Sequence, residues 1–151
     1  MPTLDQTRFG SLDYTDSDIL TFTEGLIGFA HCQRFILVQT QSKGSFRWLQ
    51  SIEEPKIAFL VVDPASYVRG YALEIEDDEA ESLAIGPDTA TLVLTTASIP
   101  PGRPQEMTIN LAGPIVINAD ARTGRQLIVD NEACPAKHRV FEDGGSLAKA
   151  A

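Results

Sequence analysis

The chain has 151 residues, with 12 Lys plus Arg against 21 Asp plus Glu, and only two cysteines. One domain of this length buries about 70% of the surface its extended chain would expose, so neither a disulfide framework nor a structural metal is needed to hold a core. A net charge of −9 and the lack of any Lys or Arg run disfavour direct nucleic-acid binding, which relies on basic surface to release counterions, and favour neutral or basic protein partners.

The opening MPTLDQTRFG lacks the basic start and apolar run of a secretory signal. The longest strongly apolar run, Ile57 to Val62, is far short of the ~18 residues of a spanning helix. A cytoplasmic location without membrane contact is therefore expected. Arg8 to Tyr14 and Asp18 to Phe22 are weak strand candidates, and Glu24-Gly-Leu-Ile-Gly-Phe29 reads as a turn. Its Gly-x-x-Gly spacing also occurs in RNA-clamping loops, but those need basic flanks and a helical setting. Phe35 to Val38, Ile57 to Val62 and Leu92 to Leu94 are short, continuous apolar runs, the pattern of central strands covered on both faces. Phe46 to Ile52 is a further strand candidate, with Trp48 expected in the core.

Tyr71-Ala-Leu-Glu-Ile-Glu76 and Met107-Thr-Ile-Asn-Leu111 alternate apolar and polar residues, as strands with one wet face do. Between them Asp78 to Ile85 reads as the only helix, with Asp78 as N-cap, Glu81 at the third position and Gly86 as the stop. The loop Ile99-Pro-Pro-Gly-Arg-Pro104 continues neither element. Ile115 to Ile117 and Leu127 to Val129 read as a hairpin joined by Asn118 to Gln126, with Gly124 supplying a positive φ for the turn or a bulge. About ten short strands predict an all-β, single-domain antiparallel β-barrel-like fold with one short helix, since closure hides strand edges. The domain is expected over residues 1–143, followed by a loose tail at 144–151.

Chemistry leaves little trace. His31-Cys32 and Cys134-x-x-x-His138 hold the right elements for zinc, but adjacent ligands rarely converge and no Cys-x-x-Cys anchors them. Neither cysteine has the setting of an activated nucleophile, and no phosphate loop or nucleophile elbow occurs. No cofactor, metal or catalytic residue is expected. The uneven feature is acidic: Glu74, Glu76, Asp77, Asp78, Glu79 and Glu81, with a separate pair at Glu53 and Glu54. Acids at a helix start are favoured by the macrodipole, and a dense cluster also steers a basic partner. Glu53, Glu54, Glu74, Glu76, Asp77, Asp78 and Glu79 are the candidate partner-binding residues.

Three segments together, Phe22-Thr-Glu-Gly-Leu-Ile-Gly-Phe29, Trp48-Leu-Gln-Ser-Ile-Glu-Glu-Pro55 with Ile57-Ala-Phe59, and NLAGPIVIN to RTGRQLIVDN over 110–131, resemble the flagellar assembly factor FliW family in order and spacing. The resemblance spans Arg8 to Phe141. It implies a small cytosolic β-barrel-like protein without enzymatic activity that binds the translational repressor CsrA and keeps it from flagellin messenger RNA. Flagellin is the other implied partner, and when unexported it takes up the factor and frees CsrA to stop flagellin synthesis. Two other classes stay open on the residues alone: a barrel with an interior pocket for a small ligand, and a hydrolase using Cys32 or His138.

Overall fold

The structure, a computed structural model, describes residues 2–39 and 46–141. The expected tail at 144–151 lies outside them. In chain order the strands are β1 (Thr3–Thr7), β2 (Gly10–Asp13), β3 (Ile19–Thr21), β4 (Arg34–Val38), β5 (Arg47–Ser51) and β6 (Ala58–Val62). Helix α1 (Asp77–Ser82) precedes β7 (Thr91–Ser98), β8 (Thr108–Ile109), β9 (Ile115–Asn118), β10 (Thr123–Gln126) and β11 (His138–Arg139).

Seven strands close a ring in the order β7-β6-β5-β4-β3-β10-β9, because β9 also pairs back onto β7 from Thr91↔Asn118 to Leu94↔Ile115. Every neighbour in the ring is antiparallel except β3 and β10, which meet in parallel at Thr21↔Thr123. Closure satisfies the backbone groups that an open sheet leaves at its edges. β8 and β11 extend the sheet from the end of β7, and β1 with β2 forms a separate hairpin. Among the described residues the fold is the all-β barrel with one short α-helix that the sequence pattern predicts.

Period two sorts the side chains. Leu20, Phe35, Leu49, Val61, Leu94, Ile115 and Ile117 fill the barrel axis together with Phe22, whose ring stands edge-on to Phe35 at 5.4 Å between centroids. The alternate residues face out onto two pads. Val62 packs with Met107, Ile109 and Leu111, while Val93 and Val116 pack with Leu73, Ile75, Leu83 and Leu127. The runs Ile57 to Val62 and Leu92 to Leu94 are thus covered on both faces, as expected.

Other expectations need correction. Trp48 is on the outer face and half-buried, with Phe9 edge-on at 5.7 Å and the Arg8 guanidinium 4.0 Å above its ring, so it anchors the β1–β2 hairpin and is not a core residue. Tyr71 to Glu76 does alternate between covered and exposed side chains, yet it forms no ladder. Its apolar side chains dock on the two outer pads instead. Only Thr108 and Ile109 of the 107–111 stretch pair as a strand.

The second arm of the 110–131 hairpin is Thr123 to Gln126, not Leu127 to Val129, with Gly124 opposite Ile117. The buried Asn118 side chain sets the turn, its Oδ1 accepting the N–H groups of Asp120 and Ala121 at 3.0 Å each. Gly124 does not adopt positive φ; Arg122 does, at 60°. The glycine is needed because a Cβ there would lie 2.5 Å from the Phe22 ring.

Candidate functional site: the turn-built end of the barrel

The segments that carry the resemblance meet at one end of the barrel. The connection from β3 to β4 is bent by Gly25 (φ +66°) and Gly28 (φ +86°). At Gly25 a Cβ would approach the Phe29 carbonyl oxygen and Ala30 Cα to 2.6 Å, so no other residue fits without movement there. Phe29 then packs edge-on to Phe59 at 5.0 Å, which brings His31 and Cys32 beside the β5–β6 turn.

That turn is built by Gln50 and Ser51, both fully buried. The Gln50 amide nitrogen donates to the carbonyls of Ser51 (2.9 Å), Pro55 (2.8 Å) and Ile57 (3.2 Å), and Ser51 Oγ accepts the Glu54 N–H at 3.0 Å. The turn places the two acids differently. Glu53 accepts the Arg34 backbone N–H at 3.1 Å and pairs with Arg34 Nε at 3.3 Å, closing the end of β4. Glu54 meets His31 Nε2, and the Cys32 thiol points at the same Glu54 oxygen, Oε2, at 3.6 Å. The bond from His31, ahead of smaller contributions from its charge and from Cys32, holds the Glu54 carboxyl below the usual carboxylate range. Burial pushes the Cys32 thiol up, against a hydrogen bond from the Ser51 side chain.

The 110–126 segment joins this end through Gln126, whose Oε1 accepts the Ile27 N–H at 2.9 Å and whose Nε2 donates to the Gly113 carbonyl at 3.0 Å. Ile27 is 58% exposed and Ile128 76%, the most open of the large apolar side chains among the described residues. Arg125 bridges outward, from Glu24 at 3.9 Å to the Ser82 hydroxyl at 3.2 Å on α1.

Helix α1 carries the second group of acids. It begins two residues earlier than expected: Glu76, not Asp78, is the N-cap, and the Glu79 carboxylate accepts its N–H at 3.1 Å. Gly86 is not its stop. Ile85 N–H reaches the Ala80 carbonyl and Ala84 N–H the Glu81 carbonyl, a Schellman end with Ala84 at φ 55° where glycine is the usual choice. Asn118 Nδ2 seals that end by donating to the Leu83 carbonyl at 2.7 Å. Glu74, Glu76, Asp77 and Asp78 are exposed and Glu79 half-buried, and among the described residues none of the five has a salt-bridge partner.

The structure therefore splits the candidate partner-binding residues into two sets. Glu53 and Glu54 are tied to Arg34 and His31 at the turn, while Glu74 to Glu79 form a ridge leading into α1, and no hydrogen bond or ion pair among the described residues joins the sets. Cys134 lies against the outer pad with Met107, and Cys32 in the barrel core, so the two cysteines do not share a site. Sequence reasoning missed Gln50, Ser51 and Asn118. The signal for Asn118 was present, an Asn two residues before Asp at the end of an apolar run, which favours a side-chain-closed turn.

Among the described residues, a closed seven-strand barrel with short outer strands, one α-helix of under two turns and an end built from glycine turns and buried amides defines a small β-barrel class. The family model for the FliW protein matches residues 3–140. The flagellar assembly factor FliW of Magnetococcus marinus is 39% identical over 122 residues, covering 81% of this chain and 75% of that protein. The Moorella thermoacetica factor is 36% identical over 140 residues, covering 93% and 89%. A crystal structure of the flagellar assembly factor FliW superimposes with a TM-score of 0.86 at 29% identity, over 94% of this chain and 99% of that one. The chain belongs to the FliW family of flagellar assembly factors.

Proposed function

We propose that the chain is a non-enzymatic cytoplasmic regulator that binds the translational repressor CsrA and, in competition, flagellin, so that flagellin synthesis follows flagellar assembly. Family membership supports the setting, and the observation that carries the reading is the ridge Glu74, Glu76, Asp77, Asp78 and Glu79, whose carboxylates are unpaired within the described chain. An RNA-binding repressor must present basic surface, and unneutralised carboxylates attract that surface and repel phosphate over about a Debye length, roughly 8 Å at physiological salt. Exposed Ile27 and Ile128 add apolar contact area. Exchange between two partners is then a transfer of binding free energy between competing complexes.

The ridge variant Glu74→Gln/Glu76→Gln/Asp77→Asn/Asp78→Asn/Glu79→Gln tests this. Its unfolding free energy should fall by less than about 1 kcal/mol, because the amide oxygen introduced by Glu79→Gln still accepts the cap N–H and the ridge is exposed. Association with the repressor at low salt should slow about 10-fold and lose most of its salt dependence, with dissociation little changed. Flagellin association should change less. Equal association rates for wild type and variant with the repressor would return the ridge to a purely structural role.

A further inference from the structure

We propose that His31, Cys32 and Glu54 form a binding site for one zinc-class divalent cation, with His31 Nε2, Cys32 Sγ and a Glu54 carboxylate oxygen as ligands. The three donor atoms all lie within 4.8 Å of one another. A tetrahedral zinc with bonds of about 2.3 Å to sulfur and about 2.0 Å to nitrogen and oxygen sets its ligand atoms roughly 3.3–3.6 Å apart. Cys32 Sγ and Glu54 Oε2 already stand at 3.6 Å. His31 touches the same Oε2, so a rotation that opens this one contact makes room for the ion. The His31 side chain is 59% exposed and that of Glu54 47%, and both are free to turn.

The donor set is selective. Thiolate and imidazole favour zinc over magnesium or calcium, which prefer all-oxygen shells. The supporting shell is present as well. Ser51 is fully buried, and its Oγ fixes the Glu54 backbone N–H at 3.0 Å. Such second contacts orient first ligands and tune metal affinity. With Cys32 sealed in the barrel core and the other two ligands at the surface, the fourth coordination position opens to solvent and takes a water. On binding, the thiol proton goes to solvent and the proton with which His31 Nε2 meets Glu54 leaves that nitrogen, so that thiolate and Nε2 lone pair both face the metal. No spacing rule in the sequence reveals this trio, because Glu54 reaches His31 and Cys32 only through the facing turns.

The test uses full-length protein stripped with a chelator and titrated with Co2+, then Zn2+. One equivalent of Co2+ should produce a sulfur-to-metal charge-transfer band that one equivalent of Zn2+ abolishes, with at least one proton released per zinc. Cys32→Ser should remove the band and Cys134→Ser should leave it. His31→Ala and Glu54→Gln, both at exposed side chains, should weaken binding more than ~10-fold, since even changes to outer-shell residues commonly cost that much. These two variants decide the matter if Cys32→Ser lowers the melting temperature. Absence of the band in the wild type, its survival in Cys32→Ser, or affinity within two-fold of wild type in His31→Ala overturns the site.

Discussion

The β5–β6 turn and the ridge before α1 are both acidic in sequence, and the fold treats them in opposite ways. At the turn, Glu53 and Glu54 are drawn into bonds with Arg34, His31 and Cys32 over a floor of buried Gln50 and Ser51. On the ridge, only Glu79 accepts a backbone hydrogen bond, and the carboxylates otherwise face solvent. A carboxylate already satisfied within its own chain must lose a partner before it gains another, so it offers little net affinity. An unpaired carboxylate at a helix start carries no such cost. The turn thus uses its acids within the chain, and the ridge leaves its own to solvent.

The contrast is broken most forcefully at Gln50. Gln50→Leu keeps the volume but leaves the carbonyls of Ser51, Pro55 and Ile57 without their shared donor. Unfolding in urea should show a loss of about 3 kcal/mol, with the midpoint rather than the slope changed. Retention of wild-type stability would mean that the turn holds itself without the amide.

Asn118→Ala should cost about 2 kcal/mol, because it frees the Leu83 carbonyl at the end of α1 and two turn N–H groups. Amide exchange should then speed up in both α1 and residues 119–122, as opening becomes easier. Faster exchange confined to the turn would show that the helix end is held by packing on Leu83 and Leu127 alone.

A smaller effect of opposite sign is expected at Ala84, where φ is 55°. Ala84→Gly relieves the left-handed strain at the Schellman position and should raise stability by about 1 kcal/mol, read as a higher melting temperature. A lower melting temperature would indicate that the extra freedom of glycine in the unfolded chain outweighs the strain.

The finest test concerns pH at the turn. Because Glu54 titrates below the ordinary carboxylate range in the folded protein, its contribution to stability is present above the unfolded carboxyl value and is lost as pH falls through the lowered one. His31→Ala removes the leading cause of that lowering. Carbon-detected NMR titration of the Glu54 carboxyl should show its midpoint move up toward the ordinary range, by the sign of the His31 contribution. A midpoint unchanged in His31→Ala would assign the depression to Cys32 instead.

Much of the barrel was legible because burial follows period two wherever one face is covered. Even Tyr71 to Glu76 keeps the right faces without a ladder. What the sequence could not supply was pairing. The apolar run Leu127 to Val129 looked like the second arm of the hairpin, yet the Asn118 side chain tightens the turn and pulls the polar residues Thr123 to Gln126 into register. Leu127 and Val129 still donate N–H bonds to the Pro114 and Ala112 carbonyls beyond the strand ends. The helix end was misplaced for a local reason, since Ala84 stands where the rule looks for glycine. At the turn, Glu53 and Glu54 were visible as acids, but their partners at 31–34 come from a different strand connection, which no local spacing encodes.

The parallel contact of β3 with β10 at Thr21 and Thr123 has a consequence for how the molecule comes into being. A ring closes only when its last staves are available, and here the final stave is synthesised after most of the chain. Until residues 123–126 leave the ribosome, β3 has no partner on that side and presents an open edge, the template on which strands of other chains pair. The seam joins the most distant neighbours in the ring along the chain, so its loop-closure entropy is the last to be overcome in folding. In refolding of the intact protein, amide protection at Thr21 is accordingly expected to appear after that of the β4–β5–β6 meander.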